Sequence, residues 1–140
     1  MEAYPRIGIE ELDEDHHRLG EVVARLVDAI KDDDRQLAAG CAEALLVQSA
    51  DHFAHEQRLM REIGYASFAR HRRAHDRFLA TASEMLAEVR DRGLSAAFLR
   101  WVAQAHEWFG SHVITEDLWL AQAIEKARAL PRDGRPAIRT

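Results

Sequence analysis

Apolar residues recur every three or four positions along almost the whole of this chain, and no stretch alternates with the period of two that a strand requires, so helices packed on helices are the fold open to it. Asp13 is placed as the N-cap of a first helix that carries Leu19, Val22, Val23, Leu26, Val27 and Ile30 and runs to the acidic break Asp32, Asp33, Asp34. A second helix starts near Asp34, carries Leu37, Cys41, Ala44, Leu45, Gln48, His52, Leu59 and Ile63, and stops at Gly64, a residue suited to a C-terminal cap. Ser67 caps a third, with Phe68, His71, His75, Phe78, Leu79, Met85, Leu86 and Val89 ahead of Gly93. Ser95 caps a fourth, which carries Phe98, Leu99, Val102, Trp108, Phe109 and His112 and continues past Leu118 toward Leu130, with Pro131 beyond it. Every link is short, so neighbouring helices should run antiparallel. The sequence predicts an all-α, up-down-up-down four-helix bundle, with the residues before Asp13 as a short arm packed along it. One domain is expected over 1–130, and 131–140 reads as a loose tail.

A chain of 140 residues builds one core rather than two. Its net charge of -5, with Lys and Arg scattered, offers no basic stripe for a nucleic acid. Cys41 is the only cysteine, which excludes an intrachain disulfide, a cysteine-based zinc knuckle and an iron–sulfur cluster. The start lacks the basic and apolar regions of a secretion signal, and no window has the apolar length of a membrane span, so a cytoplasmic protein is expected.

Eight histidines are unusual in so short a chain, and their spacing matters more than their number. Residues four apart on a helix differ by only about 40° around its axis. His52 and Glu56 form such a pair on the second helix, and His71 and His75 another on the third. His112 lies on the fourth near Glu116 and Asp117, and His16 near the start of the first. His52 falls in line with Leu45 and Leu59, and His75 with Phe78 and Leu79, so both point inward. Each imidazole or carboxylate turned into an apolar core costs a few kcal/mol, roughly, unless it is paired or bound to a cation. A lone inward histidine is ordinarily a satisfied core residue; two such pairs on successive helices, with further donors on the other two, point to a metal. Imidazole and carboxylate without thiolate suit iron or manganese.

The segments Leu12-Asp13-Glu14-Asp15-His16, His52-Phe53-Ala54-His55-Glu56, Gly64-Tyr65, His71 with His75, and Trp108 through Asp117 resemble the bacterial hemerythrin family, in order from about residue 7 to about residue 125. The resemblance implies that His16 and His52 bind one iron, that His71, His75 and His112 bind the other, and that Glu56 and Asp117 bridge them. His16 rather than His17 matches the family pattern, which sets its histidine three residues after the aspartate. Spacing alone would favour Glu116, because five residues from His112 to Asp117 is about 140° around a regular helix. Following the family predicts a helix that is widened, bent or interrupted near 113–117. Two departures from the usual family pattern, Ala66 after Gly-Tyr and Gln57 after the glutamate, fall off the ligand positions, and Tyr4 stands in an arm that lacks the family's tryptophan.

The same resemblance implies two iron ions with an oxo or hydroxo bridge, and one open position on the iron that His16 and His52 hold. Dioxygen is then the partner, bound reversibly by a carrier, storage or delivery protein rather than an enzyme, with an oxygen-using enzyme as a recipient. The alternatives are a di-iron enzyme acting on nitric oxide or peroxide, a repair protein for iron sites, or a sensor of oxygen or redox state. Leu19, Val23, Trp108, Phe109 and Val113 are candidates to line a dry pocket. His17, His55 and His106 fall outside the ligand set, and Arg70, Arg72 and Arg73 read as a solvated face. A monomer or weak oligomer is expected.

Overall fold

Each helix begins and ends where a local hydrogen-bonding device allows it. In the computed structural model, which describes residues 4–130, α1 spans Glu10–Lys31, α2 Arg35–Ile63, α3 Phe68–Arg92, α4 Ala96–His112 and α5 Leu118–Arg128. The turn Val113–Asp117 between α4 and α5 is π-helical, so the last two helices form one continuous fourth member of the bundle. No strand occurs among the described residues.

Asp34 caps α2 by accepting the Leu37 N–H at 3.0 Å, and Ser95 caps α4 by accepting the Phe98 N–H at 3.2 Å. Gly64 ends α2 with φ 63 and ψ 46, a left-handed conformation in which a side chain is strained. Two expectations about helix starts need correction. Asp13 is not the N-cap of α1: the helix starts earlier, with Ile9 at the cap. The buried Asp13 carboxylate instead accepts the Ile7 N–H at 2.7 Å and the Gly8 N–H at 3.1 Å, and so ties the arm to the first turn. Ser67 does occupy the cap of α3, but its side chain makes no capping hydrogen bond.

The helices alternate in direction. Arg35 at the start of α2 donates to the Arg90 carbonyl at the end of α3, and Arg128 at the end of α5 donates to Glu11 at the start of α1. The arm lies along the bundle, with Tyr4, Ile7 and Ile9 buried. At the end away from the histidines the interior is apolar, filled by Leu26, Ala29, Ala38, Leu45, Val89 and Phe98. Leu37 and Leu99, expected on inner stripes, are exposed. Each stands beside a fully buried residue, Ala38 and Phe98 respectively, which takes the inward position in that turn and leaves the leucine on the outer face. The proposed tail 131–140 lies outside the described residues. None of the described helices is long and apolar enough to cross a membrane.

Candidate metal centre

The seven residues singled out from the sequence converge in the interior. His16 comes from α1, His52 and Glu56 from α2, His71 and His75 from α3, His112 from the end of α4 and Asp117 from the end of the π-helical turn. All seven are buried. Four helices contribute because each carries its donors near the same end of the bundle, which the antiparallel order requires of residues early in α1 and α3 and late in α2 and α4.

Two overlapping donor sets result. Glu56, His71, His75, His112 and Asp117 form one, and His16, His52, Glu56 and Asp117 the other; within each set the donor atoms lie within 4.8 Å of one another. Both carboxylates belong to both sets, and each divides its oxygens between them. Glu56 Oε1 lies 3.0 Å from His75 Nε2 and 3.3 Å from His71 Nε2, while Oε2 faces His52 Nε2 at 3.5 Å. Asp117 Oδ1 lies 3.0 Å from His112 Nε2 and 3.1 Å from His71 Nε2, while Oδ2 faces His16 Nε2 at 3.0 Å.

The π-helical turn explains how Asp117 reaches this position. One extra residue per turn brings the five-residue step from His112 back to the inner face, as the family pattern had implied and regular spacing had not. Glu116 is turned outward and pairs with Arg70 at 3.2 Å.

Electrostatics favour a cation here. Burial, and then the nearby charge of Asp117, push the Glu56 carboxyl well above its usual range. Burial also opposes ionisation of Asp117, but the close imidazoles of His112, His16 and His71 outweigh it and hold that carboxylate well below its usual range. Burial, reinforced by His71 and His112, pushes His75 down to about 2, and burial lowers His52 as well. These imidazoles are therefore neutral at physiological pH, with a lone pair free to bind a metal.

Hydrogen bonding alone does not satisfy the cluster. Among the described residues His16 Nδ1 and Nε2, His52 Nε2, Glu56 Oε2, His71 Nδ1 and Asp117 Oδ1 have no well-directed hydrogen-bond partner. Three imidazole nitrogens also crowd together, with His112 Nε2 at 3.2 Å from His71 Nε2 and 3.3 Å from His75 Nε2. Buried polar atoms left in this state are costly, and positive ions placed among them remove the cost. The residues present fit a metal pair.

The surroundings include groups that sequence reasoning missed. Phe53 stacks on His75 with ring centroids 3.9 Å apart and planes 6° apart. Gln57, noted from the sequence only as a departure from the family pattern off the ligand positions, accepts from His75 Nδ1 at 3.2 Å. Of the pocket candidates, Leu19, Val23, Phe109 and Val113 are buried, and Trp108 is half-buried with its ring stacked on His112 at 4.5 Å. The remaining histidines stand outside the cluster as expected: His17 pairs with Glu21 on the surface, His106 hydrogen-bonds Tyr4, and His55 bonds to Asp15.

An antiparallel helical bundle whose interior holds two donor sets with shared carboxylates defines a class of protein with a candidate two-metal site between its helices. The hemerythrin HHE cation binding domain matches residues 7–124, and the chain belongs to the hemerythrin family. It is 32% identical over 117 residues to a bacteriohemerythrin of Pseudomonas aeruginosa, covering 84% of this chain and 75% of that protein. A bacteriohemerythrin of Ralstonia nicotianae is 31% identical over 107 residues, covering 74% of this chain and 77% of its own length. A myohemerythrin of Riftia pachyptila is 27% identical over 108 residues, covering 77% and 78%. No solved structure gives a significant match.

Proposed function

We propose that this protein binds dioxygen reversibly at a pair of iron ions. One is held by His71, His75 and His112, the other by His16 and His52, and Glu56 and Asp117 bridge the two. The observation that carries the proposal is the sharing of both carboxylates, with one oxygen of each turned to either set. The relatives, named as bacteriohemerythrins and a myohemerythrin, support the same reading.

When bound, the iron pair would supply two electrons and, on the side with fewer histidines, a coordination position for dioxygen. The protein's own part is to set that asymmetry and keep water out. Phe53 and Trp108 cover the faces of His75 and His112 with aromatic rings. Val113 and Phe109 are buried on the fourth helix, and Leu19 and Val23 on the first. An apolar surround of this kind would keep water from the site, which favours release of dioxygen over its reaction. Histidine-rich ligation acts in the same direction, because additional carboxylates would stabilise higher oxidation states. Such a site suits storage of dioxygen or its delivery to an oxygen-using enzyme.

The test is optical. The reduced, iron-loaded chain should develop charge-transfer absorption when mixed with air and lose it under inert gas, over repeated cycles. Oxidation in a single irreversible step would contradict reversible binding and favour turnover of an oxidant.

A further inference from the structure

Asp15 sits on α1 one residue before His16, with its side chain turned to α2 rather than to the donor cluster. Its Oδ2 accepts from His52 Nδ1 at 2.9 Å and from His55 Nδ1 at 3.0 Å, while its Oδ1 accepts from Arg18 Nη2 at 2.7 Å. His52 and His55 are three residues apart on α2 and so present neighbouring rings to the same carboxylate. These groups border a cleft of about 440 Å³ between α1 and α2, in which Asp15, His52 and His55 face Arg18 and Arg58.

We infer that Asp15 is a positioning residue for His52 and makes the two-histidine half of the site a competent metal holder. The inference rests on the two-iron reading above. The His52 Nδ1–H donated to Asp15 leaves the lone pair at Nε2, which faces Glu56 Oε2 across 3.5 Å. A carboxylate acceptor also makes the imidazole a stronger donor to metal and fixes the plane of its ring. The arrangement is one-sided. Among the described residues His75 gives its Nδ1 to the neutral amide of Gln57, and Nδ1 of His16 and of His71 has no partner. Among the described residues, His52 is thus the one candidate ligand whose Nδ1 is shown bonded to a carboxylate, and it belongs to the half with fewer histidines. Arg18 and His55 hold the Asp15 carboxylate in turn, so its orientation does not depend on His52 alone.

The full chain, loaded with ferrous iron enriched in the Mössbauer isotope, is challenged under inert gas with increasing concentrations of a ferrous chelator. Asp15→Ala and Asp15→Asn should release one iron per chain at a chelator concentration roughly 10–100-fold lower than the unsubstituted chain, with the second iron unchanged. Of the two Mössbauer signals, only the one lost first should differ from that of the unsubstituted chain. The asparagine variant keeps the shape of the side chain and guards against a folding defect in the alanine variant. Release of both irons at unchanged concentrations, or an equal weakening of both, would overturn the role of Asp15 while leaving the two-iron reading intact. An unsubstituted chain that takes up no iron would overturn both.

Discussion

Replacing Glu56 by alanine is expected to empty both halves of the site at once. Glu56 is fully buried, and its two oxygens face different histidines, Oε1 toward His71 and His75 and Oε2 toward His52. With two ions bound as proposed, removing it would take a donor from each and also the negative charge that would offset two adjacent cations in a low-dielectric interior, where uncompensated charge is most expensive. Iron per purified chain should fall from two to near zero. His52→Ala removes a donor from one set only, so it should lose about one iron and keep the other. Quantitation of iron against protein separates these outcomes; equal retention of iron in Glu56→Ala and the unsubstituted chain would mean that Glu56 does not bridge.

Stripping the metal should lower the melting temperature by about 12–16 °C. Seven buried polar groups converge without enough hydrogen bonds to satisfy them, so bound cations would offset a desolvation cost that the stripped chain carries uncompensated. A ligand that binds only the native state, present at roughly a thousandfold above its dissociation constant, contributes about 4 kcal/mol. For a domain of this size each kcal/mol moves the midpoint by about 3–4 °C. Thermal unfolding followed by far-UV circular dichroism, with and without a chelator, measures the difference. The helices should persist in the stripped protein at low temperature, because the apolar end of the bundle around Leu26, Leu45 and Phe98 does not depend on the metal.

What the sequence made legible follows from the range of the interactions involved. His52 with Glu56, and His71 with His75, are pairs within one helix, and helical spacing alone turns each pair to one face. The bundle was legible for the same reason, since short links between long apolar-periodic stretches leave few other arrangements. Asp117 was different: regular spacing favoured Glu116, and only the family pattern singled out the residue that the π-helical turn brings inward.

The features that were missed depend on register between elements. Asp15 meets His52 and His55 only because α1 and α2 pack with that particular offset, which no periodicity within α1 reveals. Phe53 was passed over because the inner stripe of α2 was drawn through Leu45, His52 and Leu59. The buried set is wider and includes Ser49, Phe53, Glu56 and Met60, as a helix packed between two neighbours requires. Asp13 looked like a cap because a carboxylate before an apolar-periodic run is the usual signal; the arm that uses it instead precedes the helix and has no periodicity to betray it.

Anomalous diffraction at the iron edge, on crystals of the iron-loaded chain, tests the central claim most directly. Two adjacent peaks are expected inside the bundle, one bonded to His71, His75 and His112 and the other to His16 and His52, with Glu56 and Asp117 contacting both and Glu116 contacting neither. A single peak, or a pair in which Asp117 stays outside bonding distance of one ion, would contradict it.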